Sequence, residues 1–189
     1  MMANLFIIAS KQFGSEILKA ENGRGTVNVN KDVMRKIWDY FYIPYISGHY
    51  YSYGKFRSDD AKVGDILAYV GSTSSAAYFP KEVTFGGEVY AVEAKILPVP
   101  TFEGGASVMV QQGAGMVISK GTPEAEYASI VFLKWLTETQ NNIDFAAASG
   151  YLPVKKESLN YDHIKSAQIT EITSETLRIA IECIQKSEL

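Results

Sequence analysis

The chain is poor in the residues that most often carry chemistry. Its 189 residues include one cysteine, Cys183, so an internal disulfide and a CxxC zinc or redox motif are both excluded. The two histidines, His49 and His163, form no HxxxH pair, and no EF-hand pattern occurs. Asp59-Asp60 is a lone acidic pair and reads as a turn or cap. Basic runs are absent as well. The longest are the pairs Arg35-Lys36 and Lys155-Lys156, and the net charge is -3, which gives no electrostatic footprint for nucleic acid. No apolar run reaches membrane-spanning length, no signal peptide opens the chain, and no internal repeat or low-complexity linker interrupts it.

Catalytic motifs are missing in the same way. The glycine-rich stretch "EGGASVMVQQGAG", Glu103 to Gly115, is not followed by Lys-Ser/Thr, so it is not a Walker loop. Gly113-Ala114-Gly115 supplies half of a dinucleotide fingerprint, but Ile118 stands where the third glycine belongs. No serine sits in a GxSxG elbow, and a Ser74–His163 pairing has no supporting signature. Two carboxylates could meet as in a glycosidase, yet the sequence singles out no pair. This pattern favours a binding role over a catalytic one, and no cofactor or metal is implied.

What the chain does have is a mixture of helical and strand-like segments, which predicts an α/β protein. Apolar spacing predicts a helix from Leu5 to Leu18, weakened at Gly14. "ENGRGTVNVN" reads as a turn and a short strand, Thr26 to Val29, and Asn30 as the N-cap of the next helix. Aromatics crowd the region Trp38 to Phe56; core packing with a tyrosine rim and a stacking wall for an apolar ligand face are both open readings. Ile66 to Val70 predicts a strand ending in Gly71-Ser72-Thr73-Ser74-Ser75, and "YAVEAKILPVP" and "VMVQQGAGMVIS" predict further strands. Thr122-Pro123-Glu124 starts a helix reaching about Thr137, apolar nearly all round and so expected to be buried. Helices are also expected from about Gln140 to Ala148, stopped by Gly150, and from about Ser174 to Lys186. Cys183 lies in the latter's apolar pattern and is expected to be a buried small hydrophobe.

Four segments, taken in order and at their spacing, resemble a known family. They are "ENGRGTVNVNKDVMRKIWDYFY", "SDDAKVGDILAYVGSTSSAAYF", "ILPVPTFEGGASVMV" and "TPEAEYASIVFLKWLTETQNNIDFAAASGYLPV". Together they look like the extracellular solute-binding proteins of ABC importers, a family that includes maltose-binding and glycerol-phosphate-binding proteins. "GGAS", Gly104 to Ser107, and "SGYLPV", Ser149 to Val154, most resemble the glycerol-phosphate-binding branch.

The resemblance implies a periplasmic-binding-protein-like fold, two α/β lobes around a ligand cleft. It places 1–103 in the C-terminal lobe, 104–154 in a segment returning to the N-terminal lobe, and 155–189 back in the C-terminal lobe. The chain then corresponds to an internal piece of a longer protein, expected to hold its solute weakly or not at all and to self-associate through uncovered apolar surface. The implied ligand is a sugar or glycerol-phosphate-like molecule, and the implied partner is the ABC permease. The implied place of work is the cell surface, as a lipoprotein, or the periplasm. Ligand contacts carried over are Ser72, Thr73, Ser74 and Ser75 at a strand end, Gly104, Gly105 and Ser107 at a crossover, Gly150 and Tyr151 after a helix stop, and Tyr53 among the aromatics. The tryptophan that stacks on sugar in the maltose-binding relative has no counterpart, Ser74 falling close to its position, so maltose-like specificity is not expected. A carbohydrate-active enzyme domain using paired carboxylates is the alternative.

Overall fold

The computed structural model describes residues 2–51, 53–54, 56–165 and 169–186. The chain divides into two compact units, Met1–Lys55 with Val99–Gln112 and Ile184–Leu189, and Phe56–Pro98 with Gly113–Cys183.

In the first unit, helix α1 (Met2–Gln12) ends well short of Leu18. Gly14 adopts φ +71°, a left-handed stop, and the chain turns into a hairpin of β1 (Leu18–Glu21) and β2 (Arg24–Val27). Asn22 and Gly23, both at positive φ, make the tight turn that an Asn-Gly pair favours, which draws the expected Thr26–Val29 strand back to Arg24–Val27. Helix α2 (Lys31–Ile37) starts as expected: the Asn30 side chain accepts from the backbone N–H groups of Asp32 and Val33. One π-helical turn, Trp38–Tyr42, and the short α3 (Ile43–Ile46) follow. The core of this unit is Ala9, Val33 and Ile37, flanked by Phe13, Met34, Phe41 and Phe102. The Phe13 and Phe102 rings stack with centroids 4.6 Å apart.

The second unit holds α4 (Arg57–Lys62), a 3-10 turn at Thr73–Tyr78, and a hairpin of β3 (Glu82–Phe85) and β4 (Glu88–Ala91) closed by Gly86-Gly87. Then come α5 (Pro123–Leu136), α6 (Thr139–Ser149), a 3-10 turn at Lys156–Ser158, α7 (Tyr161–Lys165) and α8 (Glu171–Lys186). Ile143, Ile164, Leu177 and Ile181 form its core, with Leu152, Leu159, Tyr161 and Ile169 packed on them. On α8, Arg178 hydrogen-bonds both Glu175 and Glu182, and this holds the Glu175 carboxyl below its ordinary range.

Several expectations need correction. Ile66–Val70 is not a strand, and neither is "VMVQQGAGMVIS". The expected strand "YAVEAKILPVP" is regular only at Tyr90-Ala91, the end of β4. A strand exists through its ladder; Val108 forms only an isolated bridge, and beyond Tyr90-Ala91 none of these runs belongs to either hairpin. Helix α5 is not buried: none of its residues falls in the core, and Tyr127, Phe132 and Trp135 are each more than half exposed. Its apolar residues ring the helix, while Met116 to Ile118 lie along one side only, beside Ala128, Ser129, Phe132 and Leu133. Cys183 is half-buried, not buried.

Both units expose large apolar side chains, among them Tyr45 and Tyr53 in the first and Leu67, Tyr127 and Trp135 in the second. The helix-and-hairpin content is mixed, as an α/β reading requires.

Candidate functional site

The sequence-predicted ligand residues sort onto the two units. Ser72, Thr73, Ser74, Ser75, Gly150 and Tyr151 lie in the second, and Tyr53, Gly104, Gly105 and Ser107 in the first.

In the second unit the serine run and the helix stop meet. Ser72 precedes the 3-10 turn, and the Ser75 N–H donates to the Ser72 carbonyl at 2.9 Å. The Ser75 hydroxyl donates to the same carbonyl at 2.6 Å, and the Ser74 hydroxyl to that of Ser72 at 3.1 Å. Gly71 lies under this turn, where a Cβ would stand 2.7 Å from the Ser75 Oγ and 2.9 Å from the Tyr69 ring. Ser72 accepts through its Oγ and keeps its proton to donate, and the Thr73 hydroxyl has no partner among the described residues. Two hydroxyl donors are thus left at the turn.

Gly150 caps α6 in the left-handed conformation, φ +72°, its N–H donating to the Ala146 carbonyl. It is packed directly on the serine turn. A Cβ there would lie 2.9 Å from the Ser74 Cα, 3.0 Å from the Thr73 carbonyl oxygen and 3.4 Å from the Ser74 nitrogen. Glycine is required twice at this point, for the backbone angle and for the approach of a second backbone. Tyr151 follows, 45 % exposed, its ring 6.4 Å from that of Phe145 on α6. Its N–H reaches the Ser149 hydroxyl at 3.3 Å.

Asn142 holds this segment in place, and sequence reasoning missed it. It is 5 % exposed, and its Oδ1 accepts the Val154 N–H at 2.8 Å. The signal was a lone amide on the α6 face otherwise formed by Ile143, Ala146 and Ala147. Phe145 also went unremarked.

In the first unit, Gly104 and Gly105 have a structural reason of their own. Gly104 turns at φ +71° with open space around it. Gly105 sits against the end of α1, where a Cβ would meet the Gln12 carbonyl oxygen at 3.1 Å and that of Phe102 at 3.0 Å. Gln12, 3 % exposed, clamps the segment: its side chain donates to the Pro100 carbonyl at 3.2 Å and accepts from the Phe102 N–H at 3.0 Å, while its own carbonyl accepts from Ala106 at 3.0 Å. Gln12→Met would keep the volume and strip both side-chain bonds, leaving two backbone groups unpaired. The expected loss is about 1–3 kcal/mol, read as a lowered urea midpoint. Ser107, just beyond, is exposed. Tyr53 is 82 % exposed and stands 4.6 Å from the Tyr51 ring.

Among the described residues no group of three or more His, Cys, Asp or Glu could hold a metal, and no helix is long and apolar enough to cross a membrane. The serine turn and the capped end of α6 offer hydroxyls, an aromatic face and a closely fitted backbone, which is equipment for holding a polar solute.

Comparison with known proteins places the chain in a family. The family model of the bacterial extracellular solute-binding proteins matches residues 2–171. No curated protein and no solved structure matches the chain. The family serves ABC transporters outside the membrane, taking a small molecule to the permease, and is in general non-catalytic. With the match spanning most of its length, the chain belongs to the bacterial extracellular solute-binding proteins.

Proposed function

We propose that the protein captures a carbohydrate or polyol phosphate without transforming it, in the cleft between the two lobes of the family fold. The reading is carried by one observation, the seating of Gly150 on the Thr73–Ser74 backbone, which brings the Ser72–Ser75 turn against the chain that leads into Tyr151. Hydroxyls bond the solute's own hydroxyls or phosphate oxygens, and Tyr151 lays a flat face on its carbon skeleton. The filled form docks on the permease because the ligand binds the closed state better than the open one.

The test is titration calorimetry against a panel of sugars and glycerol phosphates, with recovery of the solute afterwards. A solute from this panel binds and returns unchanged. Tyr151→Ala weakens it about tenfold, the effect of about 1.4 kcal/mol at a stacked aromatic. Turnover of the solute would reject a purely binding role, and unaltered affinity in the variant would remove Tyr151 from the site.

A further inference from the structure

The bare side of α5 carries a pattern that is complementary to itself. Met116 to Ile118 lie beside Ala128, Ser129, Phe132 and Leu133, which leaves the other side of the helix uncovered by them. Pro123, Glu124, Tyr127, Val131, Lys134 and Trp135 fall on that side at helical spacing, and all six are exposed. Tyr127 is 69 % exposed and Trp135 52 %, so the stripe is apolar in its middle and charged toward its ends. Contiguous exposed apolar surface of this kind marks an interaction site.

The charges say what fits it. Glu124 stands five residues before Ser129, and Lys134 stands five after it. Lys120 and Glu138, exposed just outside the two helix ends, stand nine before and nine after, with the signs exchanged. A two-fold axis level with Ser129 therefore sets every one of these charges against an opposite charge on a second copy. The same rotation sets Tyr127 against Val131 and Trp135 against Pro123, each contact made twice. Parallel pairing would instead face Glu124 with Glu124 and Lys134 with Lys134. Antiparallel pairing also opposes the two helix macrodipoles. A surface that matches itself under a two-fold is what contact between identical chains requires, and an unlike partner gives no reason for it.

We propose that α5 is a homodimer contact, two copies pairing antiparallel through Tyr127, Val131 and Trp135, with Glu124 and Lys134 fixing the direction. The apolar stripe supplies the attraction. Exposed ion pairs are individually weak and choose the orientation. A helix of 14 residues is about 21 Å long and about 10 Å across, less than the face of about 800 Å² that each partner gives to a stable interface, so the pair forms reversibly and at high concentration. Solute capture does not enter this inference.

The test is sedimentation velocity on the purified chain at concentrations up to about 1 mM, with a zero-length carbodiimide cross-link mapped by mass spectrometry. The chain shifts reversibly from monomer to dimer, and the cross-link joins Glu124 to Lys134. These residues lie ten apart in sequence, about 15 Å along one helix, so the bond forms only between copies. Lys134→Glu turns both charge contacts repulsive and weakens the dimer about tenfold, with circular dichroism confirming an unchanged fold. A monomer over the whole range would overturn the proposal. A dimer that lacks the Glu124–Lys134 cross-link would put self-association on another surface and overturn it equally. A cross-linked dimer indifferent to Lys134→Glu would overturn the charges as what sets the direction.

Discussion

Gly150→Ala is expected to cost about 2–5 kcal/mol. The left-handed angle accounts for about 1–2 kcal/mol of this, since an L side chain at φ +72° meets its own backbone. The rest is overpacking, typically about 1–3 kcal/mol. The atoms that a new methyl would strike are the Ser74 Cα and the Thr73 carbonyl, and backbone cannot swing aside as a lysine tip can. Gly87→Ala is the control within the same unit. It has φ +86° but open space where the Cβ would go, so it incurs the angle alone. Urea unfolding of the two variants therefore separates the terms. A cost at Gly150 no greater than at Gly87 would mean that α6 and the serine turn are not in contact.

Leu177→Ala is expected to cost about 3–5 kcal/mol, the upper part of the range for leucine truncation. Leu177 is fully buried among Ile143, Ile164 and Ile181. The cavity left by its removal is walled by three helices, α6, α7 and α8, so the surroundings can collapse into it only in part. Many of the other buried hydrophobics are alanines, among them Ala146, Ala147 and Ala180, which contribute little area. A stability of the usual 5–15 kcal/mol cannot spare such a loss easily. The variant should show a much lower urea midpoint by circular dichroism, and a broadened transition if the unit ceases to unfold as one. A cost below about 1 kcal/mol would show that this cluster is not the unit's core.

Local signals in the sequence were legible where the physics is local. Asn30 caps α2, Thr122-Pro123 opens α5, and Gly150 ends α6, each through a bond or angle set within four residues. The serine run and "SGYLPV" were readable as separate pieces, but not their contact, because the approach joins residues far apart in the chain. Gln12 and Asn142 were missed for the same reason: each holds a backbone N–H from another segment, and although Asn142 stands out as a lone amide on the buried face of α6, the neighbouring letters do not name its partner. Strands failed most. Ile66–Val70 has the composition of a strand, but composition supplies no partner, and strand formation is a property of two segments. The Asn-Gly turn at Asn22-Gly23 was seen as a turn, yet its hairpin was missed because Ile17 and Leu18 continued the helical spacing of α1.

Helix α5 behaves differently in time from the helices around it. Its Thr122 hydroxyl secures the Ala125 N–H at the start, and Thr137 closes the end onto the Leu133 carbonyl. Between those caps no side chain is anchored in a core, so little beyond its own hydrogen bonds opposes local unwinding. Amide protons in the middle of α5 then exchange with deuterated solvent through brief excursions, while those near Ala146, Leu177 and Ile181 wait for opening of the whole unit. Exchange in α5 as slow as at Leu177 would show that the helix opens only with the whole unit; faster exchange would time how often its exposed aromatics, Tyr127, Phe132 and Trp135, come free of helical order.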